Sequence, residues 1–455
     1  MLANSNPQSD SGMIRGLGTL EATALNVANM VGIGPFITIP AFLATMAGPQ
    51  VLFVWVAAAV LVICDGLVWS ELGAALPGSG GSYHFLKQIY GPYRLGRLLP
   101  FLFIWQFLIS GTLEIASGYL GAMRYVAYLF PALNTPLWEH APVNYQSVAA
   151  AIAALAITLV LCRNIRALGK LGLVLTAGTI VTVGIVIVAG LFNFDSSLIT
   201  FPSNPFPDDK TPAAAIGAAM LIAIYDYLGY YNVCNLGDEV SNPAKTIPRA
   251  VMISVVLVAA IYLTMNIAII GVVPWQEARL SHNIAADFME RLFGPTWAQA
   301  FTLLIVWTSA ACMFAITLGY SRIPYAAARQ GDFFPVFARV HPREHYPTVS
   351  LAVLGMLTAV FCFFPLEQVI SAAVTVRILI QFIGQIVGLH LLRTMRPDVP
   401  LPFRMWFYPL PSIIALAGWT FVMCSDVSLL LSAVGVAIAG VLVFFVWQAF
   451  QGRQA

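Results

Sequence analysis

The chain has 455 residues, of which 59% are hydrophobic and only 9% are charged. Soluble domains carry about 25% charged residues, so this composition excludes an ordinary water-soluble protein. The formal net charge of +2 does not by itself indicate a function, because in a membrane protein the distribution of the charges matters more than their sum.

Long apolar runs along the chain predict an all-α integral membrane protein. The polar residues before the first run show no basic segment followed by a short apolar core, so we expect that run to be a retained span and not a secretory signal. A helix needs about 20 apolar residues to span a bilayer. By this measure we predict about twelve spans, numbered in chain order, at residues 17–45, 51–76, 97–130, 145–162, 171–192, 213–236, 250–272, 296–323, 348–364, 367–392, 407–425 and 428–449.

The first span is interrupted near its centre by the sequence NMVGIGPFITIP (Asn29–Pro40). Gly32, Gly34 and Pro35 weaken a helix, and the proline removes a backbone donor. In lipid, open backbone groups must be satisfied by a ligand or a protein-lined cavity. Free N–H groups at the start of the outer half would suit a carboxylate, and carbonyls that end the inner half would suit an ammonium or sodium ion. The alternative is a proline-kinked helix that serves packing alone.

An eight-residue sequence occurs twice, as FLKQIYGP (Phe85–Pro92) between spans 2 and 3 and as FMERLFGP (Phe288–Pro295) between spans 7 and 8. The copies are five spans apart, an odd number, so they would face opposite sides of the membrane. This predicts a five-plus-five inverted repeat, and therefore a second break in span 6, where Gly229 lies. The predicted units are repeat 1 at 14–192, repeat 2 at 213–394, and the last two spans at 405–450.

The Lys and Arg residues are unevenly distributed between the two sides of the predicted bundle. With a cytoplasmic N-terminus, only Lys210, Arg279 and Arg291 of the 22 fall in outside segments. Arg124 and Arg377 fall within or near the bilayer, and the others are cytoplasmic. Because positive residues favour cytoplasmic loops, we predict cytoplasmic termini, with 1–13 disordered. The pattern suits a multi-pass protein of a bacterial cytoplasmic (inner) membrane.

Several ionisable residues fall inside predicted spans, where charge is costly and suggests function. Glu114 in span 3 and Arg377 in span 10 can pair if these spans approach each other, either as a structural tie or gate or as a proton relay. Asp226 in span 6 could contact a ligand, carry a coupling proton, or pair with a neighbouring helix. Asp65 in span 2 has no partner that the sequence identifies.

The sequence contains no catalytic or nucleotide-binding motif. The six histidines lie mostly in predicted loops without an HExxH motif, and the six cysteines are scattered through apolar runs without CxxC spacing. We therefore expect neither an enzyme nor a metal centre, and an ion or exchange gradient as the energy source. A channel, or a receptor on a transporter scaffold, is a further alternative.

Five motifs between Leu17 and Pro411 resemble those of the amino acid–polyamine–organocation (APC) superfamily of secondary transporters. The first resembles the family's Gly-Ser-Gly-Ile-Phe break, with Ile33 in place of the serine. Glu71 belongs to the second, and we interpret it as an organiser of the adjacent loop. In chain order they are GIGPF (Gly32–Phe36), SELGAALPGSGGSYHFLKQIYGP (Ser70–Pro92), GDEVSNPAKTIPRA (Gly237–Ala250), SRIPYAAARQGDFFP (Ser321–Pro335) and LRTMRPDVPLPFRMWFYPLP (Leu392–Pro411).

The resemblance implies a leucine-transporter-type fold, with the substrate bound where spans 1 and 6 unwind. The substrate carboxylate would meet the span 1 backbone, and Tyr225 would close the site from outside, with Tyr230 as a second gating aromatic. Leu228 and Gly229 would supply carbonyls and room. Asp226 departs from the small residue usual in the family. The implied substrate-binding residues are Asn29, Val31, Gly32, Ile33, Gly34, Tyr225, Asp226, Leu228 and Gly229.

The coupling ion stays open between Na⁺ and H⁺. Thr179 stands where several relatives carry a lysine that replaces sodium. Thr308 and Ser309 fall near positions that supply hydroxyls in relatives, and with carbonyls near Val31 they could form an oxygen-only sodium cage. Alternatively, these hydroxyls bond to the backbone of their own helices, and coupling uses protons or exchange. The candidate proton carriers are Glu114 and Asp226.

These observations together predict secondary active transport of amino acids by alternating access, with symport as the expected mode. The alternatives are a transporter of polyamines or other organic amines, or an exchanger or sensor on the same scaffold. We expect an amino acid substrate and the lipid bilayer as partners, no nucleic acid, and no cofactor other than a coupling ion. The oligomeric state stays open, and a monomer is compatible with the sequence.

Overall fold

The computed structural model describes residues 16–78, 80–93, 96–138, 143–163, 165–344 and 346–451, with the backbone alone for 165–173, 176 and 451. The predicted N-terminal segment 1–13 lies outside the described residues. Within them the chain is all-helical, without a β-strand. The α-helices are α1 (Thr19–Met30), α2 (Gly34–Thr45), α3 (Val51–Ala75), α4 (Ser82–Tyr90), α5 (Leu98–Leu129), α6 (Tyr145–Val160), α7 (Ile165–Phe192), α8 (Pro212–Tyr227), α9 (Pro243–Ile270), α10 (Trp275–Ala278), α11 (Ile284–Phe293), α12 (Pro295–Tyr320), α13 (Arg322–Arg329), α14 (Thr348–Phe361), α15 (Leu366–Arg377), α16 (Gly384–Met395), α17 (Leu410–Cys424) and α18 (Val427–Gln451).

The apolar helices form a multi-pass membrane protein. In the described part of the chain, six helices or joined helices are long and apolar enough to cross a bilayer, and the bent pair α1–α2 would make a seventh. Shorter apolar helices coincide with the remaining predicted spans. They are Tyr145–Val160, Ala177–Phe192, Pro212–Tyr227, Thr348–Phe361 and Leu410–Cys424.

The break predicted in span 1 is confirmed. Helix α1 ends at Met30, α2 begins at Gly34, and the two axes differ by 53°. Pro35 occupies the first turn of α2, where its missing N–H costs nothing because the first N–H groups of a helix have no intrahelical acceptor. The sequence therefore stops one helix and starts another within three residues.

Span 6 is also interrupted, as the repeat predicts. Helix α8 ends at Tyr227, and Leu228 follows with an extended ψ of 138°. Gly229 has φ +110°, a conformation that L side chains rarely adopt. The chain then continues as a short 3₁₀-helix, Asn232–Asn235, so the backbone does not resume an α-helix before Pro243.

The two interrupted spans face each other at the centre of the bundle. Helix α1 packs against α9, α2 packs against α8, and α3 packs against both α8 and α9. The other side of the bundle is built by α5, which packs against α12 and α15. The repeated eight-residue sequence covers most of two short amphipathic helices, α4 and α11, which precede the long helices α5 and α12.

Span 10 contains a local widening of the helix that the amino-acid sequence does not predict. A π-helical segment, Ile378–Ile383, joins α15 to α16 directly after Arg377. At the far end of α16, Arg393 forms two hydrogen bonds to Glu71, at 2.6 and 2.7 Å. Glu71 also accepts from the backbone N–H of Met405 at 2.7 Å, which supports its interpretation as a loop organiser.

Asp65 has the partners that the sequence could not identify. The Tyr230 hydroxyl donates to one of its carboxylate oxygens, and the indole N–H of Trp419 donates to the other at 3.1 Å. The carboxylate is buried and links α3 to the segment after α8 and to α17. Tyr230 and Trp419 are far from Asp65 in the sequence, so no local sequence pattern predicts these contacts.

Candidate functional site

A small cavity lies between the two helix breaks. Its volume is about 30 Å³, which leaves room for about two water molecules but not for an amino acid in this conformation. Residues of α5 and α12 complete its wall. The lining consists of Asn29, Met30, Gly32, Ile33, Gly34, Glu114, Tyr225, Asp226, Leu228, Cys312, Met313 and Ile316.

The lining includes most of the residues that the resemblance implies for the substrate site. Asn29, Gly32, Ile33, Gly34, Tyr225, Asp226 and Leu228 all face this cavity. Val31 and Gly229 belong to the breaks themselves, and a β-carbon at position 229 would lie 3.2 Å from the β-carbon of Asn29. Tyr230 is not in the lining, since its hydroxyl donates to Asp65.

The span 1 break is held open by contacts from its neighbours. The Tyr262 hydroxyl of α9 donates to the carbonyl of Met30, the last residue of α1. A β-carbon at position 32 would lie 2.6 Å from Sγ of Cys312, so α12 approaches this backbone closely. Gly32 is therefore required by the packing of α12 against the break.

Tyr225 is fixed by a hydrogen bond to helix α5. Its hydroxyl lies 2.6 Å from Oγ of Ser117, and both residues are buried. Ser117 in turn donates to the carbonyl of Glu114 at 2.6 Å. The predicted gating aromatic thus connects the broken span to the opposite side of the bundle. The sequence does not identify Ser117 as the partner of Tyr225, because a serine in an apolar helix has no distinctive sequence pattern.

Asp226 lies against the beginning of α2. The Thr38 hydroxyl donates to Oδ2 of the carboxylate at 2.6 Å. A β-carbon at position 34 would lie 2.4 Å from Oδ1, so only glycine permits this approach. Oδ1 is buried and has no hydrogen-bond partner among the described residues. The carboxylate therefore has one oxygen paired with Thr38 and one without a partner in the described structure.

The predicted Glu114–Arg377 pair is confirmed, and it is the centre of a buried network. The Arg377 guanidinium contacts the Glu114 carboxylate, and its side chain is 1% exposed. Nε of Arg377 donates to Ser110 at 3.1 Å, and Nη1 donates to the hydroxyl of Tyr231 at 3.1 Å. The Tyr320 hydroxyl donates to Glu114 at 2.8 Å. Helices α5, α12 and α15 are tied together beside the cavity.

The hydroxyls considered for ion coupling differ in their partners. Ser309 donates to the carbonyl of Gly118 at 2.9 Å, and Thr179 donates to the carbonyl of Leu175 at 3.4 Å. Thr308 is fully buried, and its hydroxyl has no partner in the described part of the chain. The described residues hold no group of three His, Cys, Asp or Glu side chains that could bind a metal ion.

Comparisons with known proteins agree with the resemblance to the APC superfamily. The family model described as amino acid permease matches residues 17–451. The serine/threonine exchanger SteT of Bacillus subtilis (strain 168) is 25% identical over 422 residues, which cover 91% of this chain and 92% of the relative. Large neutral amino acids transporter small subunit 2 of Mus musculus is 27% identical over 451 residues, covering 95% and 81%. The b(0,+)-type amino acid transporter 1 of Mus musculus is 26% identical over 420 residues, covering 90% and 82%. The chain belongs to the amino acid permease family.

Proposed function

We propose that this permease carries out secondary active transport of amino acids by alternating access, with the ligand bound between the breaks of spans 1 and 6. The observation that carries the proposal is the cavity where α1, α2 and the end of α8 meet, which is lined by residues of both helix breaks, Gly32–Gly34 and Leu228. The positive end of α2 suits the carboxylate of the ligand, and the carbonyls that end α1 and α8 suit its ammonium group. Tyr225 closes the site, and Tyr230 supports the segment behind it.

The proposal includes the arrangement that alternating access requires. It assigns twelve spans in a five-plus-five inverted repeat, with repeat 1 at 14–192, repeat 2 at 213–394 and two further spans at 405–450. The contacts of α2 with α8, α3 with α9, α5 with α12, and α6 with α14 join equivalent members of the two repeats and support it. The uneven distribution of Lys and Arg supports cytoplasmic termini in a cytoplasmic (inner) membrane.

Uptake into proteoliposomes tests the transport function and its energy source. We expect a labelled amino acid mixture to accumulate when a sodium or a proton gradient is imposed, each in a separate arm. Counterflow against internal substrate, without accumulation in either arm, would identify an exchanger, the activity that the name of one relative gives. Purified protein that binds amino acids but supports neither uptake nor counterflow would contradict transport and favour a sensor.

Thr308 provides a test of sodium coupling. We propose its unpartnered hydroxyl as a sodium ligand together with carbonyls near Val31, because hard cations prefer oxygen ligands. If sodium drives uptake, Thr308→Val should raise the sodium concentration for half-maximal uptake by at least about tenfold, or about 1.4 kcal/mol. The matched control is Thr302→Val, because Thr302 is equally buried in α12 but already donates to the carbonyl of Ala298 at 2.8 Å. If both variants show the same sodium dependence, Thr308 is not a sodium ligand.

A further inference from the structure

The cavity between the breaks has an unbalanced charge. Its lining contains two carboxylates, Glu114 and Asp226, and none of its described residues is a lysine, arginine or histidine. Arg377 contacts Glu114 but is not part of the lining. The net charge at the cavity therefore depends on how far the surrounding protein neutralises each of these two carboxylates.

Glu114 is fully compensated. The guanidinium of Arg377 contacts its carboxylate, and the Tyr320 hydroxyl donates to it at 2.8 Å. The pair as a whole is neutral, and its hydrogen bonds are completed by Ser110 and Tyr231. A ligand gains little attraction from a carboxylate that already has a buried cation, so Glu114 does not set the charge of the ligand.

Asp226 has no basic side chain as a partner among the described residues. Its nearest polar partner is the neutral hydroxyl of Thr38, and its second oxygen, Oδ1, is buried and unpartnered in the described structure. The carboxylate also lies beside Gly34, at the positive end of α2, which is where the carboxylate of an amino acid would bind. An amino acid that binds there would bring a second anionic group next to Asp226.

A cationic ligand would give the unpartnered oxygen of Asp226 a partner and would reduce its repulsion with a ligand carboxylate. An isolated carboxylate at membrane depth is costly unless a cation or proton meets it. An ammonium group on the ligand would pair with Oδ1 and would offset the repulsion between Asp226 and any carboxylate of the ligand. We infer that the substrate is an organic cation with a net positive charge, and that Asp226 binds its ammonium group at Oδ1. This inference rests on the proposed transport site and names its substrate class.

Two kinds of molecule share this chemistry, cationic amino acids and diamines. The test is uptake and counterflow in proteoliposomes with three labelled probes, lysine, putrescine and leucine, for the wild-type protein and for Asp226→Asn. We expect the wild type to prefer lysine or putrescine over leucine by at least about tenfold. Preference for lysine identifies a cationic amino acid substrate, and preference for putrescine identifies a diamine.

The Asp226→Asn variant should lose the preference while keeping its fold. Asparagine has nearly the same shape and can still accept from Thr38, so we expect leucine uptake to be kept or raised and uptake of the cation to fall at least about tenfold. Retained leucine transport shows that the variant is folded. The control is Asp65→Asn, which removes a buried carboxylate outside the cavity and should keep the preference for cations.

Other outcomes would overturn the inference. Wild-type uptake of leucine that equals or exceeds that of both cations would contradict the substrate class while leaving amino acid transport intact. Proton-driven leucine uptake that Asp226→Asn abolishes would make Asp226 a proton carrier in place of an ammonium site. If the wild type moves none of the three probes and no amino acid of a broader mixture, the proposed function itself fails, and the inference fails with it.

Discussion

Replacing Arg377 with methionine is expected to destabilise the folded protein by about 3–5 kcal/mol, because Glu114 would be left as an uncompensated buried charge. The Glu114 side chain is 8% exposed, and among the described residues the substitution would leave only the Tyr320 hydroxyl as its side-chain donor. Thermal unfolding of the detergent-solubilised protein measures the loss. The double variant Glu114→Gln/Arg377→Met should recover most of it, since removal of both charges also removes the desolvation cost.

The control for this experiment is an exposed ion pair. Arg124 and Glu367 lie 2.7 Å apart, with side chains 28% and 60% exposed, so Arg124→Met should cost about 0–1 kcal/mol. A loss for Arg377→Met no larger than that of the control would contradict a stabilising role for the buried pair. Transport by the double variant with unchanged pH dependence would identify the pair as a structural tie, whereas loss of that dependence would support a proton relay.

Gly229→Ala is expected to reduce substrate uptake at least tenfold, the equivalent of about 1.4 kcal/mol. At φ +110° an alanine is strained by about 1–3 kcal/mol. Its β-carbon would also lie 3.2 Å from the β-carbon of Asn29 and 3.3 Å from the carbonyl carbon of the same residue. The end of α8 would have to move away from the end of α1, which changes the distance between the two breaks.

Uptake and ligand affinity in the same preparation measure this effect. Gly184→Ala in α7 is the matched control, because a β-carbon there meets no atom within 4 Å. This control should keep normal uptake and gain slightly in helix stability. Normal uptake by Gly229→Ala would show that the close approach of Gly229 to Asn29 is not needed for binding.

Features that depend on a short stretch of sequence could be predicted. The break in span 1 follows from two glycines and a proline within four residues, and the structure ends α1 and starts α2 there. The Glu114–Arg377 pair could be predicted because opposite charges inside apolar spans have few other partners. In both cases the bilayer imposes the feature, because it offers no water to satisfy open backbone groups or buried charges.

Features that depend on which side chains meet across helices could not be predicted. Asp226 and Thr38 are 188 residues apart, and Ser117 and Tyr225 are 108 apart. Neighbouring hydroxyls in α12 also differ, since Ser309 donates to a carbonyl on α5 and Thr308 has no partner within the described ranges. The rotation of each helix within the bundle decides such contacts, and a nearly uniform apolar sequence carries little information about that rotation.

The π-helical segment after Arg377 determines how two ends of one span can face different neighbours. In a regular α-helix each residue turns the chain by about 100°, and the wider π turn changes this rotational phase for everything that follows. Arg377 before the segment faces Glu114 in the core, while Arg393 after it faces Glu71 at the end of α3. If the same residues formed a regular α-helix, Arg393 would be rotated by about 100° relative to Arg377 and away from Glu71. The π segment takes up this extra residue, so both arginines can reach their carboxylates from one span.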